Sequence, residues 1–364
     1  MSILGYSSSQ IRHKFLNLDS AWTNAVIDWI KAIIPCAYTT ELSSERIMRY
    51  DPSTGDRKWE IATRIEVEGT YSSKIHVKAY GPDLIEIDGN PTKFIQGHNI
   101  FGTNDVLGLC YHFFTKVCQG LNLQPTDLDK AKWRSGDFDI AKIDLTESFK
   151  LKSQEDVAAW LRVATSIARS RHQASSAYRG ETLYFGQNSR RVSTKIYNKW
   201  QELHAHKLPR DIPHPEKLLH FAKPLLRVEI RLLNMELKRR GLNTGSAWRD
   251  ESIIHSILKE RIEALKMNQK MRLTTEEITG LPPRLVAIYK LWQQGEDLRA
   301  LYPRRTFYRY RTDLLKHGID LTVPQPKKAE VVPLIRYLTA EYVPEIPKWA
   351  SNTPLYFEPQ KLKY

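Results

Sequence analysis

The run Thr182-Leu-Tyr-Phe-Gly-Gln-Asn-Ser-Arg-Arg-Val-Ser-Thr-Lys-Ile-Tyr-Asn-Lys199, followed by Arg227-Val-Glu-Ile-Arg231, gathers a tyrosine, basic groups and a lone carboxylate. These are the parts a phosphodiester-breaking tyrosine needs: an activated phenol, a divalent cation nearby and positive charge around a pentavalent phosphorus. Tyr197 is the candidate nucleophile. Lys199 is the candidate cation, stabilising the phosphate or helping a departing 3′ oxygen, because a phenol of pKa about 10 needs such help at neutral pH. In an extended segment the two side chains share a face, whereas in a helix they project about 200° apart, and the pattern permits either. Arg190 and Arg191 in the same run are candidate phosphate contacts. The bland alternative for one of 17 tyrosines is packing.

Two carboxylates fall mid-strand, Asp144 in Lys142-Ile-Asp-Leu-Thr146 and Glu229 in Arg227-Val-Glu-Ile-Arg231. A sheet ordinarily takes neutral or β-branched side chains there. From neighbouring strands the pair can aim at one hard cation, with water completing an octahedron suited to Mg²⁺ or Mn²⁺. The alternative is a solvated ion pair with Arg227 or Lys142. His98, in Gly97-His-Asn-Ile-Phe-Gly102, is either a third ligand or a turn cap. The chain lacks a Gly-x-x-x-x-Gly-Lys-Ser/Thr loop and the motifs His-Glu-x-x-His, Cys-x-x-Cys and Gly-x-Ser-x-Gly. NTP-driven, zinc-dependent and serine-hydrolase activities lose support accordingly.

The elements that must position these groups read as an α+β fold, a mainly antiparallel sheet with flanking helices. Alternation predicts strands at 59–68, 74–80 and 84–88, then at 138–146, 183–185, 192–196 and 225–233. Helical spacing predicts helices over 21–34, with Asp28 and Lys31 on the polar face, over 105–118 and over 154–171, where Val157, Leu161, Ala164 and Ile167 form the stripe. Residues 281–321 divide into three short helices whose spacing resembles a helix-turn-helix module. In its third helix Arg305, Arg309 and Thr312 share one face, with Arg304 and Arg311 adding charge, while Phe307, Tyr310 and Leu314 turn to the core. The expected organisation is a nicking and closing domain over 1–245, a helical connector over 246–280, the DNA-binding module over 281–322 and an extended strap over 323–364.

The 364 residues suffice for two cores, and a net charge of +14 in stretches that also carry Trp, Tyr and Phe points to a nucleic-acid partner. No apolar run is long enough to span a bilayer and no secretory leader is evident, so the expectation is a protein of the cytoplasm with no membrane partner. The three cysteines, Cys36, Cys110 and Cys118, lack metal-ligand spacing and are expected reduced and structural.

Gln96-Gly-His-Asn-Ile-Phe-Gly-Thr103, Lys142-Ile-Asp144, Tyr197-x-Lys199, Arg227-Val-Glu229 and Val331-Val-Pro-Leu-Ile-Arg336 with Trp349 resemble, in the same order, the gene II protein family of filamentous bacteriophage replication initiators. Tyr184-x-Gly-x-x-Ser189 through Tyr197-Asn-Lys199 is similar to the tyrosine motif of plasmid rolling-circle initiators. The resemblance implies an enzyme that nicks one strand of the double-stranded replicative form at the origin, holds the 5′ end on Tyr197 and later rejoins the displaced single strand. By analogy with the plasmid initiators, Asp144 and Glu229 would hold the metal, and a host helicase and polymerase would be further partners. The rival readings are a non-catalytic helix-turn-helix regulator and a conjugative relaxase.

Overall fold

The computed structural model describes residues 25–37, 42, 46–170, 174–178, 182–265, 275–322 and 334–359. The readings of the first 24 residues, of 266–274 in the connector, and of 323–333 and 360–364 in the strap lie outside the described residues, as does the side chain of Ile167.

In chain order the strands are β1 (Val26–Pro35), β2 (Arg46–Tyr50), β3 (Arg57–Ala62), β4 (Ile65–Glu68), β5 (Lys74–Ala79), β6 (Leu84–Gly89), β7 (Asp139–Lys150), β8 (Ala174–Tyr178), β9 (Thr182–Phe185), β10 (Val192–Asn198) and β11 (Leu225–Leu233). Nine form one sheet in the order β4-β5-β6-β1-β7-β11-β10-β9-β8, each neighbouring pair antiparallel. The helices are α1 (Pro91–Gln96), α2 (Val106–Gly120), α3 (Asp127–Ser135), α4 (Gln154–Ser170), α5 (Lys199–His206), α6 (Pro215–Ala222), α7 (Asn234–Arg240), α8 (Ser252–Ala264), α9 (Thr275–Thr279), α10 (Pro283–Gln293), α11 (Leu298–Leu301) and α12 (Arg304–Leu315). The α+β architecture agrees with the sequence reading.

Strand β7 is the spine, paired with β1 on one side and β11 on the other. Ile143, Leu145 and Phe149 enter the main core, and Asp144, Thr146 and Ser148 alternate onto the opposite face. Helix α4 packs on β8, β9, β10 and β11 and contributes Val157, Trp160, Leu161 and Ala164 to the same core. Cys36 and Cys118 meet there as free thiols, Sγ to Sγ 3.9 Å, and Cys110 is also buried and free.

Within the sheet, two sequence readings need correction. The expected helix over 21–34 is strand β1 from Val26 on. Val26, Ile27, Ile30, Ile33 and Ile34 mimic a helical stripe because the strand is central and a bulge between Ile27 and Trp29 breaks its alternation. Their β-branched side chains fit a pleated sheet better than a helix. The expected strand over 59–68 is two: β3 pairs only with β2 as a separate ribbon, and β4 joins the large sheet beside β5.

Helices α10, α11 and α12 follow the three-helix reading, with Tyr289, Trp292, Leu298, Phe307 and Leu314 buried among them. Residues 334–359 run through turns and two 3-10 segments rather than one extended strap. They are fastened to the body where Trp160 Nε1 donates to Leu334 O at 3.0 Å and Phe357 N donates to Gln96 Oε1 at 3.0 Å. Among the described residues no helix is long and apolar enough to cross a membrane.

Candidate functional site

Register sets the candidate residues in three rows on one face of the sheet. Tyr197 pairs with Arg227, which pairs with Ser148; Lys195 pairs with Glu229, which pairs with Thr146; Ser193 pairs with Arg231, which pairs with Asp144. Because alternate residues of a strand share a face, Tyr197, Lys195, Arg227, Glu229, Arg231 and Asp144 all project the same way. Asp144 and Glu229 are diagonal neighbours across β7 and β11, as the adjacent-strand reading requires. The bulge in β1 adds Asp28, which sequence reasoning placed on a solvated helix face. The β-branched residues around Asp28 are the signal that could have found it.

The carboxylates act on one another. Burial, then Asp28, pushes the Glu229 carboxyl up to about 7, with Asp144 adding to the shift and Lys195 and Arg231 opposing it. Burial also raises Asp144, in spite of Arg231. Arg231 grips Asp144 with both forks, Nε to Oδ1 at 2.9 Å and Nη2 to Oδ2 at 2.7 Å, and its Nη2 lies 3.7 Å from Glu229 Oε1. A guanidinium thus bridges the acidic pair.

His98 does not join them. Its Nε2 meets the Leu355 carbonyl at 2.8 Å and its Nδ1 accepts from Ile100 N at 3.2 Å, so both ring nitrogens are engaged by backbone. That fixes the neutral tautomer with the proton on Nε2, and burial depresses its pKa to about 3. Of the two roles open from sequence, His98 takes the turn cap and not the metal ligand. Among the described residues no three Asp, Glu, His or Cys side chains gather as a metal-binding group. Two carboxylates nevertheless suffice for Mg²⁺, which keeps several waters and is commonly held by one or two carboxylates together with substrate phosphate. The chemistry of Asp144 and Glu229 fits that requirement once Arg231 releases them.

Tyr197 is the penultimate residue of β10, next to Asn198, which ends the strand and whose side chain caps α5 by accepting from Gln201 N. Tyr197 is 3% exposed, and its hydroxyl makes no hydrogen bond among the described residues. Burial, and next the Glu229 charge, raises its pKa well above 10. The cation against its ring is Lys195, Nζ 4.2 Å from the centroid, a residue the sequence reading passed over. Lys199 has a different task from the one expected. It is wholly buried, and its ammonium donates to Asn99 Oδ1 at 2.8 Å and to Glu202 at 2.6 Å. Burial, then Arg227, lowers its pKa to about 7. Enclosed in this way, Lys199 braces the fold, its ammonium held by Asn99 and Glu202.

The Gln96–Thr103 loop is the other end of that brace. Gly97 holds φ +81°, and a Cβ there would fall 2.4 Å from the Tyr71 ring, so only glycine fits. Asn99 links Lys199 to Asp28, which also accepts from Asn90 at 2.8 Å. Fully buried Arg227 donates to the carbonyls of Asn99 and Ile100 and to Ser148 Oγ. A buried guanidinium left without such partners costs several kcal/mol, so these bonds fix the loop beneath the Tyr197 row.

The remaining candidate DNA contacts lie at the surface. Arg190 and Arg191 are exposed at the β9–β10 turn, and Arg304, Arg305 and Arg309 are exposed along α12. Arg311 departs from the expectation: both its forks bind Asp320, each at 2.7 Å, which occupies it structurally.

Comparison with known proteins adds an independent line. Residues 26–251 match the family model for the N-terminal part of the phage replication-associated protein, the gene II product, and residues 273–357 match the model for its C-terminal part. The chain is 33% identical over 328 residues to the replication-associated protein of Enterobacteria phage I2-2, covering 87% of this chain and 94% of that protein. It is 25% identical over 325 residues to the replication-associated protein of Enterobacteria phage M13, covering 74% and 78%. A solved rolling circle replication initiator protein from Geobacillus stearothermophilus is similar over 67% of this chain and 84% of that one, at 12% identity and a TM-score of 0.28, too distant to add to the fold described above.

Proposed function

The chain belongs to the phage replication-associated protein (gene II) family, and from that premise we propose that it is a phage replication initiator that nicks and rejoins one strand of origin DNA through Tyr197. What supports the reading most is the register that sets Tyr197 one row from Glu229 and two from Asp144, on one face of the sheet with Lys195. The Tyr197 oxygen forms a bond to the scissile phosphorus as the bond from phosphorus to the 3′ oxygen breaks. The proton lost by the phenol balances the one gained by the 3′ hydroxyl, and the reverse reaction closes the strand. Lys195 favours the phenolate and the charge developing on the phosphate. Since Tyr197 is 3% exposed, DNA entry must uncover its hydroxyl. Mg²⁺ or Mn²⁺ held by Asp144 and Glu229 would supply Lewis-acid stabilisation of the phosphate oxygens. Asp28, Asn99 and Lys199 keep that face in register.

The protein would act on double-stranded origin DNA and the displaced strand in the cytoplasm of the bacterial host, with a host helicase and polymerase following. Purified protein mixed with supercoiled replicative-form DNA and Mg²⁺ should give open circles whose 5′ end at the nick carries protein. A nick with a free 5′ phosphate would rule out the tyrosine. The competing reading, a regulator that binds DNA without breaking it, draws on the burial of Tyr197 and expects a shifted band with no nick.

Helix α12 is the proposed duplex reader. Arg309→Ala should weaken origin binding and lower the slope of log affinity against log salt by about 0.9, the loss of one phosphate contact. Gel shifts across a salt series check this, and wild-type affinity at every salt would remove α12 from the interface.

A further inference from the structure

Deepening the nicking reading above, we propose that a lysine-walled groove beside the Tyr197 row is the seat of the single-stranded DNA flanking the cut, with Trp349 as the surface on which a base stacks. The groove encloses about 910 Å³ and is lined by Lys150, Lys152, Lys217, Lys223, Phe221 and Trp349. The four lysines are exposed, the two aromatic rings half-buried. Glu155 and Glu216 also line it, leaving cations in excess. Positive charge along a concave track with aromatic faces in it is the chemistry that holds single strands without reading sequence, since every base offers a π-face. Lys217 Nζ lies over the Trp349 ring, 5.9 Å from its centroid, so a base stacking on that face takes the place of the ammonium, which swings aside to the phosphate of the same nucleotide.

Position ties the groove to the cut. Lys150, at the end of β7, pairs with Leu225 at the start of β11. It lies two residues beyond Ser148, the member of the Tyr197–Arg227–Ser148 row, a step of about 6.6 Å along a strand. Tyr197 stands two strands across that row, roughly 9.6 Å at about 4.8 Å per strand, so Lys150 lies roughly 12 Å from it across the sheet, about three to four stacked nucleotides at roughly 3.4 Å each. The same loop that Arg227 holds supports the aromatic wall: Phe101 meets Phe221 edge-on at 5.7 Å and Trp349 edge-on at 6.3 Å. Trp349 is thereby positioned from beneath, with its half-buried ring facing the lysines.

The test is anisotropy of a fluorescent oligothymidylate, with the full chain and no metal. Lys217→Glu with Lys223→Glu should lower single-strand affinity about tenfold or more. The control pair Lys238→Glu with Lys259→Glu, exposed lysines elsewhere and an equal change of charge, should lower it no more than about twofold. Trp349→Leu should lose about fivefold with little change in salt slope, because stacking and not charge is removed. If the leucine variant fails to fold, the paired lysine variants still decide. Equal losses for the two lysine pairs, or none for either, overturn the groove. Nicking is scored separately: protein that binds the oligomer through the groove and never nicks overturns the tyrosine reading alone, and protein that nicks but ignores the groove substitutions overturns the groove alone.

Discussion

Tyr197→Phe should reduce nicking of supercoiled origin DNA by more than about a thousandfold while leaving duplex affinity within about twofold. The substitution removes the attacking oxygen and nothing else that holds the ring. Tyr197 is 3% exposed and its hydroxyl has no hydrogen bond among the described residues, so the phenyl ring keeps its packing at a cost below about 1 kcal/mol. Nucleophile deletions in enzymes that form covalent intermediates commonly cost about 10⁶ in turnover, so a thousandfold is a conservative threshold. The two readouts are quantified open circles and gel-shift affinity for the origin duplex. Undiminished nicking by the phenylalanine variant would assign the chemistry to another residue.

The second large effect belongs to Glu229. Glu229→Gln keeps the shape of the side chain and removes the charge a divalent cation needs, so metal-dependent nicking should fall about a hundredfold or more. A distinct pH signature should disappear with it. The Glu229 carboxyl titrates near 7 in the fold against 4.5 normally, because burial and then Asp28 disfavour its charge. A folded pKa raised in this way contributes stability that is complete below about pH 4.5 and is lost as pH rises through 7. Metal-free wild type should therefore show a Tm that declines across that window. Mg²⁺ or Mn²⁺ should raise Tm more at pH 8 than at pH 5.5, since the cation selects the charged form. In the glutamine variant the metal increment should vanish and the decline should become shallower. A metal increment of wild-type size in Glu229→Gln would remove Glu229 from the ligand set.

How much of this was legible in the sequence follows physical lines. Strands that alternate cleanly, such as Lys74–Ala79 and Leu225–Leu233, were readable, and with them the placing of Asp144 and Glu229 on adjacent strands. Val26–Pro35 was not, because a central strand with a bulge has no simple period, and the error hid Asp28. The residues around Tyr197 were legible by type but not by task. The change from strand β10 to helix α5 between Asn198 and Lys199 decides that Lys195, two residues back on the same strand face, meets the phenol ring, while Lys199 is drawn inward by Glu202 of its own helix and by Asn99 of a loop distant in the chain. Arg311 was misjudged, and His98 was left between two roles, for a related reason. Each is occupied by a group distant in the chain or past the end of its helix, Leu355 in one instance and Asp320 in the other.

The grip of Arg231 on Asp144 makes the acidic pocket self-neutralised at rest. Any ion entering between Asp144 and Glu229 has to evict a guanidinium, and the evicted group, 43% exposed at its side chain, is long enough to swing outward toward an arriving polyanion. Loading of the pocket and arrival of the nucleic acid would thereby help one another: a free cation has to win the two carboxylates from Arg231, and a DNA backbone that draws the guanidinium outward would tighten its hold.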